Sequence, residues 1–253
     1  MKISIVTVTY NSEKTLADTI QSVIRQDYDD IEYIIIDGGS KDGTINIVNK
    51  YKEYVHQFIS EPDKGIYDAM NKGIFMATGD IVGFLNSDDF FEDEDVVSTI
   101  ANTMEKDPEL DGIHADLYYV DSINTNKVVR YWCTRPFPKA GFFTGWHPAH
   151  PTFYVKKECY CKLGGYRLDM PLSADFELMF RFIQCNHIKV KHIDKVFVRM
   201  RLGGATSKNL SSIVKGIKQC KYAFNVNGQH MPRLYPAYRL IPKLFQLVHK
   251  KKS

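Results

Sequence analysis

Four short runs rich in apolar and β-branched residues alternate with stretches of helical spacing over residues 2–86. This alternation is the signature of a parallel sheet built from strand-helix-strand units. Lys2 to Tyr10 reads as a buried strand, and Ser12 is placed to cap a helix whose Leu16, Ile20, Val23 and Ile24 share one face. Ile31 to Asp37 is a second strand, stopped by Gly38-Gly39. A helix with Ile45 and Val48, a strand over 55–60, a helix with Ala69, Met70, Gly73, Ile74 and Ala77, and a strand from Asp80 to Asn86 complete the series. The fold class is therefore α/β, and ligands are expected at the carboxyl ends of the strands, where such sheets bind them.

Beyond residue 110 the rhythm changes. Residues 112–134 read as two extended segments, and 135–150 (RPFPKAGFFTGWHPAH) fit neither periodicity. A loop of that length is usually functional or mobile. A short strand from Pro151, a helix from Lys157 to Leu163, the turn Gly164-Gly165 and an amphipathic helix from Ala174 to Cys185 follow.

Composition narrows the class further. A hydrophobic fraction of 44% and a charged fraction of 25% are ordinary globular values. The net charge of +3 hides a division: residues 1–130 hold 11 basic and 25 acidic side chains, and residues 131–253 hold 22 and 5. After Asp194 there is no acidic residue, while thirteen Lys and Arg remain. The asymmetry points to a phosphorylated substrate or an anionic surface. No run spans a bilayer and no signal-peptide pattern opens the chain, so a cytoplasmic location is expected. Five cysteines, an odd number, are expected as free thiols.

Chemistry is best sought at the strand ends. Asn86-Ser-Asp88-Asp89 places two adjacent carboxylates after an apolar strand, where either a divalent oxygen-seeking cation holding a diphosphate or a solvated turn accounts for them. Thr7, Thr9 and Asn11 end the first strand, and Asp37-Gly-Gly-Ser-Lys-Asp-Gly-Thr44 follows the second. Both put small polar residues where phosphates bind. No G-x-G-x-x-G follows strand one and no G-x-x-x-x-G-K-[ST] occurs, which argues against a dehydrogenase or a P-loop enzyme. Asp175 opens a helix as either its cap or a general base. Lys64, Tyr67 and Asn71 suit capping or donor contact, and His147 and His150 suit substrate orientation or packing.

Taken together, Thr9-Tyr-Asn-Ser12, the Asp37 to Thr44 turn, Ser60-Glu-Pro-Asp-Lys-Gly-Ile-Tyr-Asp-Ala-Met-Asn-Lys-Gly73, Ala77-Thr-Gly-Asp80 and Asn86-Ser-Asp-Asp89 resemble family 2 glycosyltransferases. The nearest likeness is to bacterial enzymes of exopolysaccharide and O-antigen repeat-unit synthesis, over residues 1–205. The resemblance implies a GT-A fold with a mixed, mainly parallel sheet flanked by helices. It also implies a hexosyltransferase-type activity with a nucleotide-sugar donor, a divalent metal (Mn²⁺ or Mg²⁺) and inversion at the anomeric carbon. By position it makes Asp89 the direct metal ligand, Asp88 a ligand closer to the donor's ribose or sugar, Thr7 and Thr9 neighbours of the nucleotide, and Asp175 the base. Asp116, His150, Arg181 and Arg201 become candidate substrate contacts. Many members carry a second acid after the one matched by Asp37, where it holds the nucleotide base; here Gly38 stands in its place, so the base is not assigned.

The division expected is a transferase domain over 1–206, with 1–130 for donor and metal and 131–206 for acceptor, and a basic helical extension over 207–253. In the extension Leu234, Tyr238, Ile241, Phe245 and Val248 share one helical face opposite Arg239, Lys243 and Lys250. It reads either as a helix on an anionic membrane surface or as one packed on the domain. Through the resemblance the acceptor is a saccharide on a lipid diphosphate, and the enzyme is peripheral on the inner face of the cell membrane. No nucleic acid is expected. The competing reading is a non-catalytic basic module for nucleic acid or membrane, which leaves Asp88 and Asp89 without a purpose; a nucleotidyltransferase lacks its Gly- and Lys-bearing loop.

Overall fold

The structure, a computed structural model, describes residues 1–203 and 210–239, without the side chains of 210–213. Gly204 to Ser207 and the extension from residue 240 lie outside the described residues, including Ile241, Lys243, Phe245, Val248 and Lys250.

Strand β1 (Ile3–Thr9) is buried along its whole length. It pairs in parallel with β2 (Ile31–Asp37) and β4 (Ile81–Phe84), while β3 (Gln57–Ser60) continues the sheet beyond β2. Because strand side chains alternate, Ile3 and Ile5 join one apolar cluster and Val6 and Val8 the other. On the first face lie α1 (Leu16–Ile24), α2 (Thr44–Lys50) and α4 (Val96–Lys106). The second face holds α3 (Ile66–Met76), α5 (Lys157–Leu163), α6 (Ala174–Met179) and α7 (Leu210–Val226). A Cβ on Gly73 would lie 2.3 Å from Val6 Cγ1, so only glycine lets α3 close onto β1 here.

The second half extends the same sheet. With β5 (Asp89–Phe91), β6 (Gly112–Val120), β7 (Val128–Trp132), β8 (Tyr154–Lys156) and β9 (Val190–Arg201), the order is β3-β2-β1-β4-β8-β6-β9-β5, and β7 lies against β6. Strands β5, β7 and β8 run opposite to the rest. One mixed, mainly parallel sheet with helices on both faces thus carries residues from both sides of position 130.

Several expectations shift. Ser12 does not cap α1: the helix begins after Thr15, Ser12 accepts the Thr15 and Leu16 amides through its carbonyl, and its hydroxyl pairs with Ser87 Oγ at 2.8 Å. The single helix expected over 174–185 is α up to Met179 and π from Phe180 to Cys185, with an Asn186 N–H to Arg181 carbonyl bond of 3.0 Å. That wider turn buries Phe180, Phe182 and Ile183 together. The loop at 135–150 is anchored, since Phe142 is fully buried against Phe176 and Phe180 and the Trp146 indole donates to the Thr134 carbonyl.

The extension also packs differently. Cys220, Phe224 and Tyr235 are buried, whereas Leu234 and Tyr238, expected on the apolar face, are exposed. Arg239, expected opposite that face, bonds Cys220 Sγ and lies over the Phe176 ring at 5.1 Å.

Candidate functional site

The carboxyl ends of β1, β2 and β4 lie side by side in the parallel sheet, and Asp88-Asp89 follow the end of β4 as the floor of the candidate site. Asp89 is fully buried. Among the described residues its carboxylate takes only long bonds of 3.3 Å, from Asn86 Nδ2 and the Arg201 N–H. Burial, and then the charge of Asp88, push the Asp89 carboxyl well above its usual range; burial also raises Asp88. Two carboxylates so placed are underneutralised by the protein.

The donor set fits a hard cation in part. Asn86 Oδ1, next to Asp89, and Thr9 Oγ1, at the end of β1, are buried without a hydrogen-bond partner among the described residues. No group of three or more His, Cys, Asp or Glu able to hold a metal occurs among the described residues. Mg²⁺ and Mn²⁺ suit such a place, since one or two carboxylates suffice when substrate phosphates complete the shell.

Arg201 donates to the Asp88 carbonyl at 2.7 Å and to Asp18, and it lies over the Phe90 ring at 4.9 Å. With its guanidinium so engaged and its surface 7% exposed, it braces the acidic turn.

Asp37 is enclosed as well. Its carboxylate accepts the Gly39 and Ser40 amides at 3.1 and 2.9 Å and the Ser40 and Ser60 hydroxyls, so it organises the turn with little capacity left for a ligand. Asn11 ties the two turns together by receiving the Lys41 N–H at 2.9 Å. Thr7, expected beside the nucleotide, is fully buried with its hydroxyl 3.1 Å from the Tyr33 phenol. Thr9 lies at the rim with the free hydroxyl oxygen noted above.

A second wall of packed side chains centres on Asp175. Ser173 holds the cap position of α6, and the Asp175 carboxylate instead receives the Tyr67 hydroxyl at 3.0 Å and faces His150 Nδ1 at 3.3 Å. Burial, and then the Asp175 charge, raise the Tyr67 phenol well above its usual range, so it stays a donor. Its ring stacks on Tyr166 at 5.4 Å. Asn71 pairs in both directions with the Tyr166 backbone at 2.8 Å and holds that wall rather than a ligand. Arg181 is spent on Glu177 and the carbonyls of Leu163, Gly164 and Gly165, so it too is a brace. The Lys64 side chain is exposed at the rim, while His147 packs edge-on against Trp132 and Phe176.

Asp116 is engaged by partners within the protein. Fully buried, it accepts from the Tyr131 hydroxyl, the Thr134 N–H at 2.8 Å and His192 Nε2 at 2.9 Å. Its neighbour Tyr119 had no signal of its own in the sequence. Burial raises its phenol, the Arg130 charge opposes that rise, and the more remote charges of Asp89 and Asp175 add to it. Arg130, opposite Tyr119 in the β6–β7 register, lies 3.8 Å over its ring with a buried Nε that has no hydrogen-bond partner among the described residues. Only the cross-strand register makes that pair visible.

Comparison with known proteins agrees with this architecture. The description Glycosyl transferase family 2 matches residues 4–157. An uncharacterized glycosyltransferase of Mycobacterium tuberculosis is 35% identical over 71% of this chain and 68% of its own. A PGL/p-HBAD biosynthesis glycosyltransferase of Mycobacterium bovis is 28% identical over 70% and 68%. Among solved structures, S. aureus TarS aligns with TM-score 0.68 and 16% identity over 90% of this chain, which spans 39% of TarS. TarS 1–349 in complex with UDP-GlcNAc gives 0.67 and 16% over 89% and 71%. The mannosyltransferase PcManGT from Pyrobaculum calidifontis in complex with GDP-Man and Mn²⁺ gives 0.66 and 17% over 97% and 69%. These likenesses show a GT-A type fold, and with the sequence matches they establish that the chain belongs to glycosyl transferase family 2.

Proposed function

We propose that the protein is an inverting, metal-dependent glycosyltransferase that moves a sugar from a nucleotide-diphosphate donor to a hydroxyl of a lipid-linked saccharide. The observation that carries this reading is the occurrence together of a buried Asp88-Asp89 pair, whose Asp89 carboxylate takes bonds of 3.3 Å from Asn86 and the Arg201 N–H, and of Asp175, a carboxylate oriented by Tyr67 and His150. Names of similar proteins add support, since solved neighbours are described with UDP-GlcNAc or with GDP-Man and Mn²⁺.

Asp89 and Asp88 would hold the divalent cation, which when bound supplies positive charge to the leaving diphosphate. Asp175 takes the proton of the acceptor hydroxyl as that oxygen attacks the anomeric carbon from the face opposite the diphosphate. Tyr67 keeps the carboxylate turned toward the acceptor, and no covalent intermediate is required. Within this reading residues 1–130 serve the donor, 131–206 the acceptor, and 207–253 form the extension.

Among the described residues no helix is long and apolar enough to cross a membrane. The thirteen basic residues after Asp194, with no acid among them, suit a peripheral place on an anionic inner membrane face and a part in bacterial surface polysaccharide synthesis.

Nucleotide release from UDP-, GDP- and dTDP-sugars with Mn²⁺ and a saccharide-lipid acceptor tests the proposal. Asp175→Asn is expected to lower kcat by roughly 10²- to 10⁴-fold with donor affinity retained. Asp89→Ala is expected to abolish metal-dependent donor binding. Unaltered turnover in either variant sinks the assigned role, and salt-sensitive nucleic-acid binding without nucleotide-sugar affinity favours the basic module.

A further inference from the structure

One side of α7 is committed to the protein and the other faces outward. Cys220, Ala223 and Phe224 are buried, and the Phe224 ring lies 4.5 Å from Phe180 and 5.3 Å from Tyr235. Gln219 accepts the Leu172 N–H at 3.0 Å and Asn227 donates to Glu177 at 3.0 Å, which fixes how the helix is turned on α6. At about 100° of rotation per residue, Val214, Lys215, Lys218, Lys221 and Tyr222 therefore share the opposite side, and all five are exposed. The Tyr222 hydroxyl donates to Asp169 at 2.8 Å, and that carboxylate is already paired with Arg167 at 2.7 Å. Leu234, 62% exposed, adds apolar surface to the same segment. No acid in the sequence follows Asp194, whereas residues 1–130 hold most of the molecule's acids.

We propose that this outer side of α7 is the surface by which the protein lies on an anionic bilayer, its lysines at the headgroup phosphates and Val214 and Tyr222 at the edge of the acyl region. The inference rests on the peripheral placement read above and names the face that makes it. Lysine stems cover apolar surface while their ammonium groups stay at the phosphates, so a row that interleaves lysine with valine and tyrosine suits a lipid interface. A nucleic-acid backbone would use the lysines and gain nothing from Val214. The acidic first half is repelled by the same lipids, which turns the molecule with its basic half toward the bilayer. Since the buried side of α7 packs on α6, whose first turn bears Asp175, docking by this face holds the Asp175 wall one helix layer from the lipid. An acceptor hydroxyl carried on a lipid anchor then meets its base without leaving the surface.

The test is co-sedimentation of the full chain with vesicles of phosphatidylglycerol and phosphatidylcholine in equal parts, against phosphatidylcholine alone. Wild type is expected to bind the mixed vesicles and to leave them as salt is raised. Combined Lys215→Gln, Lys218→Gln and Lys221→Gln should weaken that binding by roughly 100-fold, about fivefold for each lysine, with nucleotide-sugar turnover in solution within about twofold of wild type. For position, a Val214→Trp probe should shift to shorter wavelength on the mixed vesicles and be quenched by brominated acyl chains, beyond the signal of the native tryptophans. Tyr54→Trp, at an exposed position in the turn after α2, should show neither change. Full binding by the triple variant, a Val214→Trp probe that stays unquenched, or salt-sensitive binding to RNA with none to vesicles overturns the proposal. Vesicle binding needs no nucleotide sugar, so its failure leaves the transferase reading standing. A wild type that binds vesicles through α7 but turns over no nucleotide sugar sinks the transferase reading alone.

Discussion

Glu32 lies near the amino-terminal edge of the sheet, at the opposite end of its strand from the candidate site, and its removal should alter stability without altering catalysis. Its buried carboxylate receives Ser4 Oγ at 2.6 Å, the Thr78 N–H and hydroxyl at 2.7 Å each, Gln57 Nε2 at 3.0 Å and Lys2 Nζ at 3.4 Å. Burial alone would raise its pKa, but the bonds from Ser4 and Thr78 and the Lys2 charge outweigh burial and bring it from 4.5 to about 2. A shift of roughly 2.5 units at about 1.4 kcal/mol per unit corresponds to ~3 kcal/mol of stability at neutral pH. The folded pKa lies below the unfolded one, so this contribution is complete above pH 4.5 and is lost as pH falls from there toward about 2.

Glu32→Gln keeps the shape and removes the charge. Urea unfolding followed by tryptophan fluorescence should show the variant less stable by ~3 kcal/mol at pH 7, a midpoint lower by roughly 1 M for a slope near 3 kcal/mol/M. The gap should close progressively below pH 4.5. Nucleotide-sugar turnover at pH 7 should remain within about twofold of wild type. Stability curves for the two proteins that run parallel from pH 7 to pH 3 would refute the reasoning, because the ionised carboxylate would then contribute nothing particular to the folded state.

Two more predictions concern the Asp175 wall and the core. Tyr67→Phe removes the 3.0 Å donor to Asp175 and should lower kcat by roughly tenfold while donor KM is kept. Since the Tyr67 phenol is held protonated far above neutrality, the wild-type to variant kcat ratio should stay constant from pH 6 to 9, and a ratio that changes with pH would count against it. At Gly83 a Cβ would lie 2.0 Å from the Tyr154 ring, so Gly83→Ala should lower the melting temperature by an overpacking cost of about 1–3 kcal/mol or more. Adding Tyr154→Leu should recover part of that loss, and a melting temperature unchanged by Gly83→Ala alone would contradict the packing described.

Much of the architecture was legible in order along the chain. The apolar runs of β1, β2 and β4 and the face of α1 formed by Leu16, Ile20 and Val23 need only local periodicity, because burial on both sides or on one side writes itself into spacing. The helix α4 and strand β9 escaped notice: the acidic run Glu92 to Asp95 masks the start of one, and charged residues interrupt the alternation of the other. Asp88-Asp89 stood out because adjacent carboxylates after a buried strand are conspicuous without any fold.

The division of labour among site residues was not legible. Asp116, Arg181, Arg201 and Thr7 have the composition of ligands, and only their surroundings reveal that their polar atoms are already engaged by Tyr131, Glu177, the Asp88 carbonyl and Tyr33. Hydrogen-bond capacity is finite, and whether it has been used depends on partners up to 183 positions away in the chain. By itself the sequence determined an α/β sheet, its reading direction and the acidic pair at its rim, since these follow from local pattern. Which carboxylates remain free to meet a ligand was decided by tertiary structure alone, because that property belongs to distances between segments and not to any residue.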